Sequence, residues 1–375
     1  VGSEMCIRDR WYIDEMKTRA NDAAPVPFTL PRSKYAFVND MVRVIPKVER
    51  PVDIREAMDF FRSEDPRTKV PLVDGTTIDY LPAQRLALPV NKDNAIAAGI
   101  VKEEDRDLMV DTVYLNLRRG VLDKSELMVI DLLSNFDWKR PIHFTQVYIL
   151  QNLGLTDYLQ FDGYSYRLVP ILTPYDRRVG EIGRIDPDVI YPLLMETFRY
   201  GNVSDPRVYV DNFIQYNLMA SGAREAFARA AKAFLRRGGA GDRDKAVALL
   251  DAGLEKMPPA QIRYTFSNTF PFLEAYYAAG EMEKGDALLL SYAENLMQYL
   301  DYYLAFEGVQ GDMVSGLIDD KLDELGQIYL LAGYAGRRDA VARLNDYYRT
   351  LGATDEDLLH VDAPGEATDS LLPIP

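Results

Sequence analysis

The chain has 375 residues, room for two domains with cores of their own, and its 47% hydrophobic and 27% charged residues are those of an ordinary globular protein. A formal net charge of −15, spread rather than gathered in a tail, speaks against a nucleic-acid partner, because an acidic surface repels phosphate. The single cysteine, Cys6, excludes an internal disulfide, and no apolar run reaches the roughly 18 residues of a membrane-spanning helix.

Residues 1–10 run Val1-Gly2-Ser3-Glu4-Met5-Cys6-Ile7-Arg8-Asp9-Arg10, without an initiator methionine or a basic-then-apolar signal pattern. They resemble adaptor-derived ends of translated environmental fragments, so this leader is expected to be non-native and the chain to be cut from a larger protein. Trp11 to Arg19 then predicts a short helix, followed by a loop from Ala23 to Pro31. Tyr35 to Ile45 is strand-like with a break at Asn39-Asp40. Asp53 is placed to cap a helix whose apolar residues Ile54, Ala57, Met58, Phe60 and Phe61 follow the 3.6-residue period. Asp74-Gly75 signals a turn, and Thr76 to Leu81 and Arg85 to Val90 read as strands bounded by prolines. Asp123-Lys124-Ser125-Glu126 is a capping box for a helix that should stop near Asn135. Ile142 to Val147 and Tyr164 to Ile171 predict two further strands, with Gly163 turning the chain before the second.

From Asp186-Pro187, an N-cap followed by proline at the first helical position, the chain reads as almost entirely helical. Leu322, Leu325, Gly326, Tyr329 and Gly333 fit the first-helix offsets of a tetratricopeptide repeat, and Phe227, Ala230, Ala231, Phe234 and Gly238 fit the same frame. Ala246, Leu250 and Pro258 continue that second set, and Phe270, Leu273, Glu274, Tyr277 and Gly280 fit with one residue deleted. A generic helical bundle has similar periodicity, and both alternatives give antiparallel helical hairpins between Asp211 and Gly352. The predicted class is α+β: an α/β domain over residues 11–180, a tetratricopeptide-like all-α stack over 186–352, and a disordered tail over 353–375.

No catalytic constellation, metal-ligand spacing, phosphate loop or dinucleotide fingerprint is legible, and no cofactor is expected. The two histidines, His143 and His360, have no spaced metal partner. Two polar–aromatic clusters are candidate ligand contacts. In the first, Trp138 could stack on a sugar while Asp137 and Arg140 hold hydroxyls, with His143 close by in sequence; the favoured alternative is that Trp138 anchors the core and Arg140 pairs with Asp137. In the second, Asp162, Tyr164, Tyr166 and Arg167 flank a turn, where cross-strand aromatic packing is the alternative.

Six segments also occur in a telling order: Trp11–Met16, Asp79–Pro82, Glu126–Leu133, Trp138–Phe144, Gly154–Gln160 and Tyr166–Ile171, with Phe227-Ala228-Arg229 and Glu274–Gly280 following. Together they resemble the C-terminal half of large bacterial membrane proteins grouped as domain of unknown function 2723, a family similar to protein O-mannosyltransferases. The resemblance spans Trp11 to about Gly352. It implies a soluble periplasmic region tethered through a missing N-terminal membrane half that holds the catalytic acid, and an acceptor protein or glycan as partner. This segment by itself is expected to be non-catalytic and to recognise or position that acceptor for a glycosyltransferase. The competing expectations are a stand-alone interaction scaffold and a glycan-binding protein.

Overall fold

The computed structural model describes residues 10–18, 24–35, 41–175, 181–220, 222–356 and 358. The expected leader up to Asp9, the break at Asn39-Asp40 and the tail beyond Leu358 lie outside the described residues. The chain divides into two compact units, Val1–Arg184 and Ile185–Pro375, and its class is α+β.

The first unit contains helices α1 (Arg10–Met16), α2 (Arg32–Tyr35), α3 (Ile54–Arg62), α4 (Lys92–Ala97), α5 (Lys124–Ser134) and α6 (Tyr148–Leu153). Its strands are β1 (Met41–Val44), β2 (Val52–Asp53), β3 (Lys69–Pro71), β4 (Thr77–Leu81), β5 (Arg85–Pro89), β6 (Thr112–Asn116), β7 (Val121–Asp123), β8 (His143–Phe144), β9 (Leu159–Phe161) and β10 (Tyr166–Leu168). They form three small sheets, ordered β3-β4-β1-β7, β2-β5-β6 and β8-β10-β9. The β1–β4 and β2–β5 pairs are parallel; the other pairs are antiparallel.

Helix α5 occupies the centre. Asp123 accepts from the Glu126 backbone at 3.0 Å, and Glu126 reaches back to the Asp123 N–H at 2.9 Å, so two orphan donors of the first turn are satisfied reciprocally. Ten of its eleven residues are buried, more than a one-sided stripe could supply, as expected for a helix enclosed on all sides. Strands β5 and β6 alternate in and out, and Leu86, Leu88, Val113 and Leu115 enter the same core. Asp53 caps α3 as expected, accepting from Arg55 N at 2.8 Å.

Three expectations change. Tyr35 closes α2 rather than opening a strand, so the predicted Tyr35–Ile45 strand is realised at Met41–Val44. Ile142–Val147 forms a strand only at His143–Phe144, because the chain turns into α6, whose Leu150 and Leu153 are buried. Gly154 ends α6 at φ 69°, with Asn116 backbone and Cβ atoms about 3 Å from where a side chain would begin, so both backbone and space require glycine. The predicted Tyr164–Ile171 strand shortens to Tyr166–Leu168 and pairs with β9, whose three residues carry no alternation to announce them.

Asp131 on α5 is fully buried and accepts from Thr29 N at 2.7 Å, Leu30 N at 3.0 Å and Thr29 Oγ1 at 2.9 Å, while Arg62 Nη2 lies 3.1 Å away. This one carboxylate holds the 24–31 segment and α3 to the central helix. Asp131→Ala strands two backbone donors and a guanidinium, and should lower unfolding free energy by about 3 kcal/mol or more in a urea titration followed by tryptophan emission.

The second unit opens with α7 (Pro187–Pro192), where Asp186 accepts from Asp188 N at 3.0 Å ahead of Pro187. It continues through α8 (Asn212–Ala220), α9 (Glu225–Arg237), α10 (Asp242–Lys256), α11 (Phe266–Ala278), α12 (Met282–Leu304), α13 (Gly308–Tyr334) and α14 (Arg338–Thr350). The last six are three successive hairpins, α9 packing on α11 and α12 on α13, which is a helical-hairpin stack. Gly238 and Gly280 stand just beyond first helices, as the repeat frame predicts; in the third hairpin Gly336, not Gly333, has the left-handed backbone beyond the helix end.

Small residues set the helix separation. A Cβ at Gly253 on α10 would lie 2.9 Å from both Phe227 Cβ and Phe272 Cζ, and one at Gly285 would enter the Tyr277 ring. Gly253→Ala should therefore destabilise this unit by about 1–3 kcal/mol, measured by denaturation followed by far-UV circular dichroism, although alanine favours an isolated helix.

Candidate functional site

Trp138 does not reach solvent. It is fully buried, its indole Nε1–H donates to Pro89 O at 2.8 Å, and its ring packs on Phe136 at 4.6 Å. Its φ of 63° is the one positive value for a non-glycine residue among the described residues, and this backbone turn directs the indole inward. The expectation that it stacks on a sugar is therefore corrected: no face of the indole is free. Asp137 pairs with Lys139, not with Arg140; Lys139 Nζ lies 2.9 Å away and holds the Asp137 carboxyl below its ordinary value. Arg140 instead donates to Ala24 O and Pro25 O, fastening the N-terminal loop.

The second cluster does assemble. The β8-β10-β9 register sets His143 opposite Arg167 and Arg167 opposite Gln160, so the three share one face of the sheet. The other row is apolar, Phe144–Tyr166–Phe161, with Phe161 and Tyr166 rings 5.1 Å apart. Buried Asp162 collects the polar row: Gln160 Nε2 donates to it at 3.0 Å, Arg167 Nη2 at 3.3 Å, and Arg167 Nε lies 3.0 Å from its other oxygen. Arg167 Nη1 donates to Gly99 O at 2.7 Å, and Tyr164 in the turn is half-buried. Sequence reasoning paired neither His143 nor Gln160 with this group, because only the strand register brings them together.

His143 is the exposed end of the row. Its Nδ1 is 3.1 Å from Ser165 Oγ and 4.0 Å from Asp162 Oδ2. A serine–histidine–carboxylate relay needs the carboxylate on one ring nitrogen and the hydroxyl on the other; here both face Nδ1, so the arrangement hydrogen-bonds but does not activate a nucleophile. Burial lowers the His143 pKa, Asp162 opposes that, and Arg167 reinforces it. The ring is thus neutral at pH 7. Because the unfolded chain takes the proton first, this group's contribution to stability is present above the ordinary value of 6.5 and falls as pH drops below it. With two histidines in the chain, the resonance that disappears in His143→Asn identifies this ring, and its midpoint in a proton NMR titration should lie below 6.5.

Two further features were not legible. Lys34 Nζ lies 3.0 Å from Asp79 and 2.9 Å from Glu64, and Lys69 pairs with the same Asp79, a clamp of scattered residues with no local signature. An open groove is lined by Pro46, Lys47, Val48, Glu49, Gln84 and Arg85, all exposed, with Arg85 held by Asn116 at 3.2 Å. Among the described residues no group of three His, Cys, Asp or Glu is placed to hold a metal ion, and no helix is long and apolar enough to cross a membrane.

Residues 4–189, just under half of the chain, match the protein-family model described as TMEM260-associated domain 2. No curated protein and no solved structure gives a significant match. The expected membership of domain of unknown function 2723 is thereby corrected: the family found is a different one, and its match ends at residue 189 rather than near Gly352. The physical reason lies in the motifs. Glu126–Leu133 is a capped core helix and Trp138–Phe144 a core-anchored turn, and such features follow packing demands that unrelated families share.

Proposed function

We propose that this chain is an accessory region that works beside a membrane-anchored glycosyltransferase, on the periplasmic side, with the helical-hairpin stack as the part that recognises an acceptor protein. The observation that carries this reading is the union in one chain of a domain described as TMEM260-associated and a three-hairpin stack. Stacked hairpins present extended surfaces to partner segments. The Asp162 row supports a subsidiary contact with hydroxyl groups through His143 and Ser165, since both are polar and at the edge of the cluster.

Removal of residues 185–352 from the chromosomal gene tests the reading. The expected outcome is a truncated product that still accumulates while glycan attachment to its acceptors falls at least about tenfold, a loss of roughly 1.4 kcal/mol in recognition, measured by glycoprotein mass spectrometry. An unchanged glycoprotein profile would overturn the proposal in favour of a stand-alone scaffold.

A further inference from the structure

The link joining α12 to α13, between the second and third hairpins, leaves apolar surface uncovered where a helix ordinarily hides it. From Asp301 to Glu324 no residue is buried, although α13 carries an i, i+4, i+8 ridge of Val309, Met313 and Leu317. These are 76%, 79% and 45% exposed, and Tyr302 at the end of α12 is 62% exposed. Exposed apolar residues scattered singly need no explanation; three in a row on one helix face do. Within the same half-helix Gly316 meets nothing where a side chain would begin and costs up to about 1 kcal/mol relative to alanine, so this stretch is built with less stability of its own.

Charge states what covers it. Between Lys284 and Lys321 there is no lysine, arginine or histidine, whereas Asp301, Glu307, Asp312, Asp319 and Asp320 are all exposed on the tip. Like charges at close range repel, which disfavours a second copy of this surface, and anionic lipid headgroups are repelled in the same way. An apolar ridge bordered by carboxylates complements a helix with one apolar and one basic face.

We infer that the α12–α13 tip is a docking surface for a cationic amphipathic polypeptide segment. The inference rests on the stack being the recognising part, and it places that recognition at one link between hairpins.

The test uses the full chain and a fluorescein-labelled leucine–lysine peptide of about five helical turns, patterned so that the leucines share one face. A scrambled peptide of the same composition and a leucine–glutamate version are the controls. Fluorescence anisotropy should show the patterned lysine peptide binding at least about tenfold more tightly than either control. The combined Val309→Ser, Met313→Ser and Leu317→Ser protein, and separately the Asp312→Asn, Asp319→Asn and Asp320→Asn protein, should each weaken it by about tenfold or more. Hydrogen exchange at residues 308–320 should slow when the peptide binds. All six substituted positions are exposed, and an unchanged thermal melt by circular dichroism establishes that the variants fold. Equal affinity for the serine variant would reduce the binding to bulk charge and overturn the inference. So would sedimentation with phosphatidylcholine vesicles that is lost in the serine variant while peptide affinity is unchanged. Either failure leaves the deletion phenotype intact if the stack recognises its acceptor elsewhere, so the two proposals fail separately.

Discussion

A buried carboxylate must be surrounded by donors, and in the first unit that requirement organises the chain. Asp131 draws Thr29, Leu30 and Arg62 to the central helix, and Lys17 then donates to Leu30 O at 2.6 Å and to Tyr35 at 3.0 Å. An irregular segment with no sheet to satisfy its backbone is thereby given partners. Arg140 adds donors to Ala24 and Pro25 from the far end of the same helix's connection. The candidate ligand residues of the Trp138 corner are thus spent on holding this loop and the core, which is why the polar row of the small β8-β10-β9 sheet remains as the site.

The helical unit uses a cation where the first unit uses an anion. Arg224 is buried; its guanidinium donates to Met257 O at 2.7 Å, at the end of α10, to Ile262 O in the link that follows, and to Asn268 Oδ1 in the first turn of α11. Burial pushes its pKa down to about 10, leaving it charged at neutral pH and favourably placed against the negative end of a helix dipole. The glycines at 253 and 285 allow the close approach that this arrangement demands. Order imposed in this way stops short of the α12–α13 tip, where no residue from Asp301 to Glu324 is buried.

What was readable in the sequence was local. Asp53, the Asp123–Glu126 box and Asp186-Pro187 act within three residues, so their effect is visible without the fold. The helical character of the second unit was equally plain, because apolar periodicity over long segments survives any arrangement of neighbours. Short elements were not: α6 packs on α5 and β6, β9 shows no alternation to announce it, and although β6 does alternate, β5 beside it is what makes it a strand. The site shows the same division. Asp162 and Arg167 stood close enough to be grouped, whereas His143 and Gln160 needed the register. That Trp138 anchors the core was the favoured of its two readings and holds, but nothing local announces the left-handed backbone that turns it inward.

That burial has a spectroscopic consequence. The chain's two tryptophans, Trp11 and Trp138, both belong to the first unit, and the second has none. Indole emission therefore follows the first unit alone, while far-UV ellipticity is dominated by the long helices of the second. Agreement or disagreement between the two signals reports whether the units melt as one cooperative body or in sequence, with no label added to either.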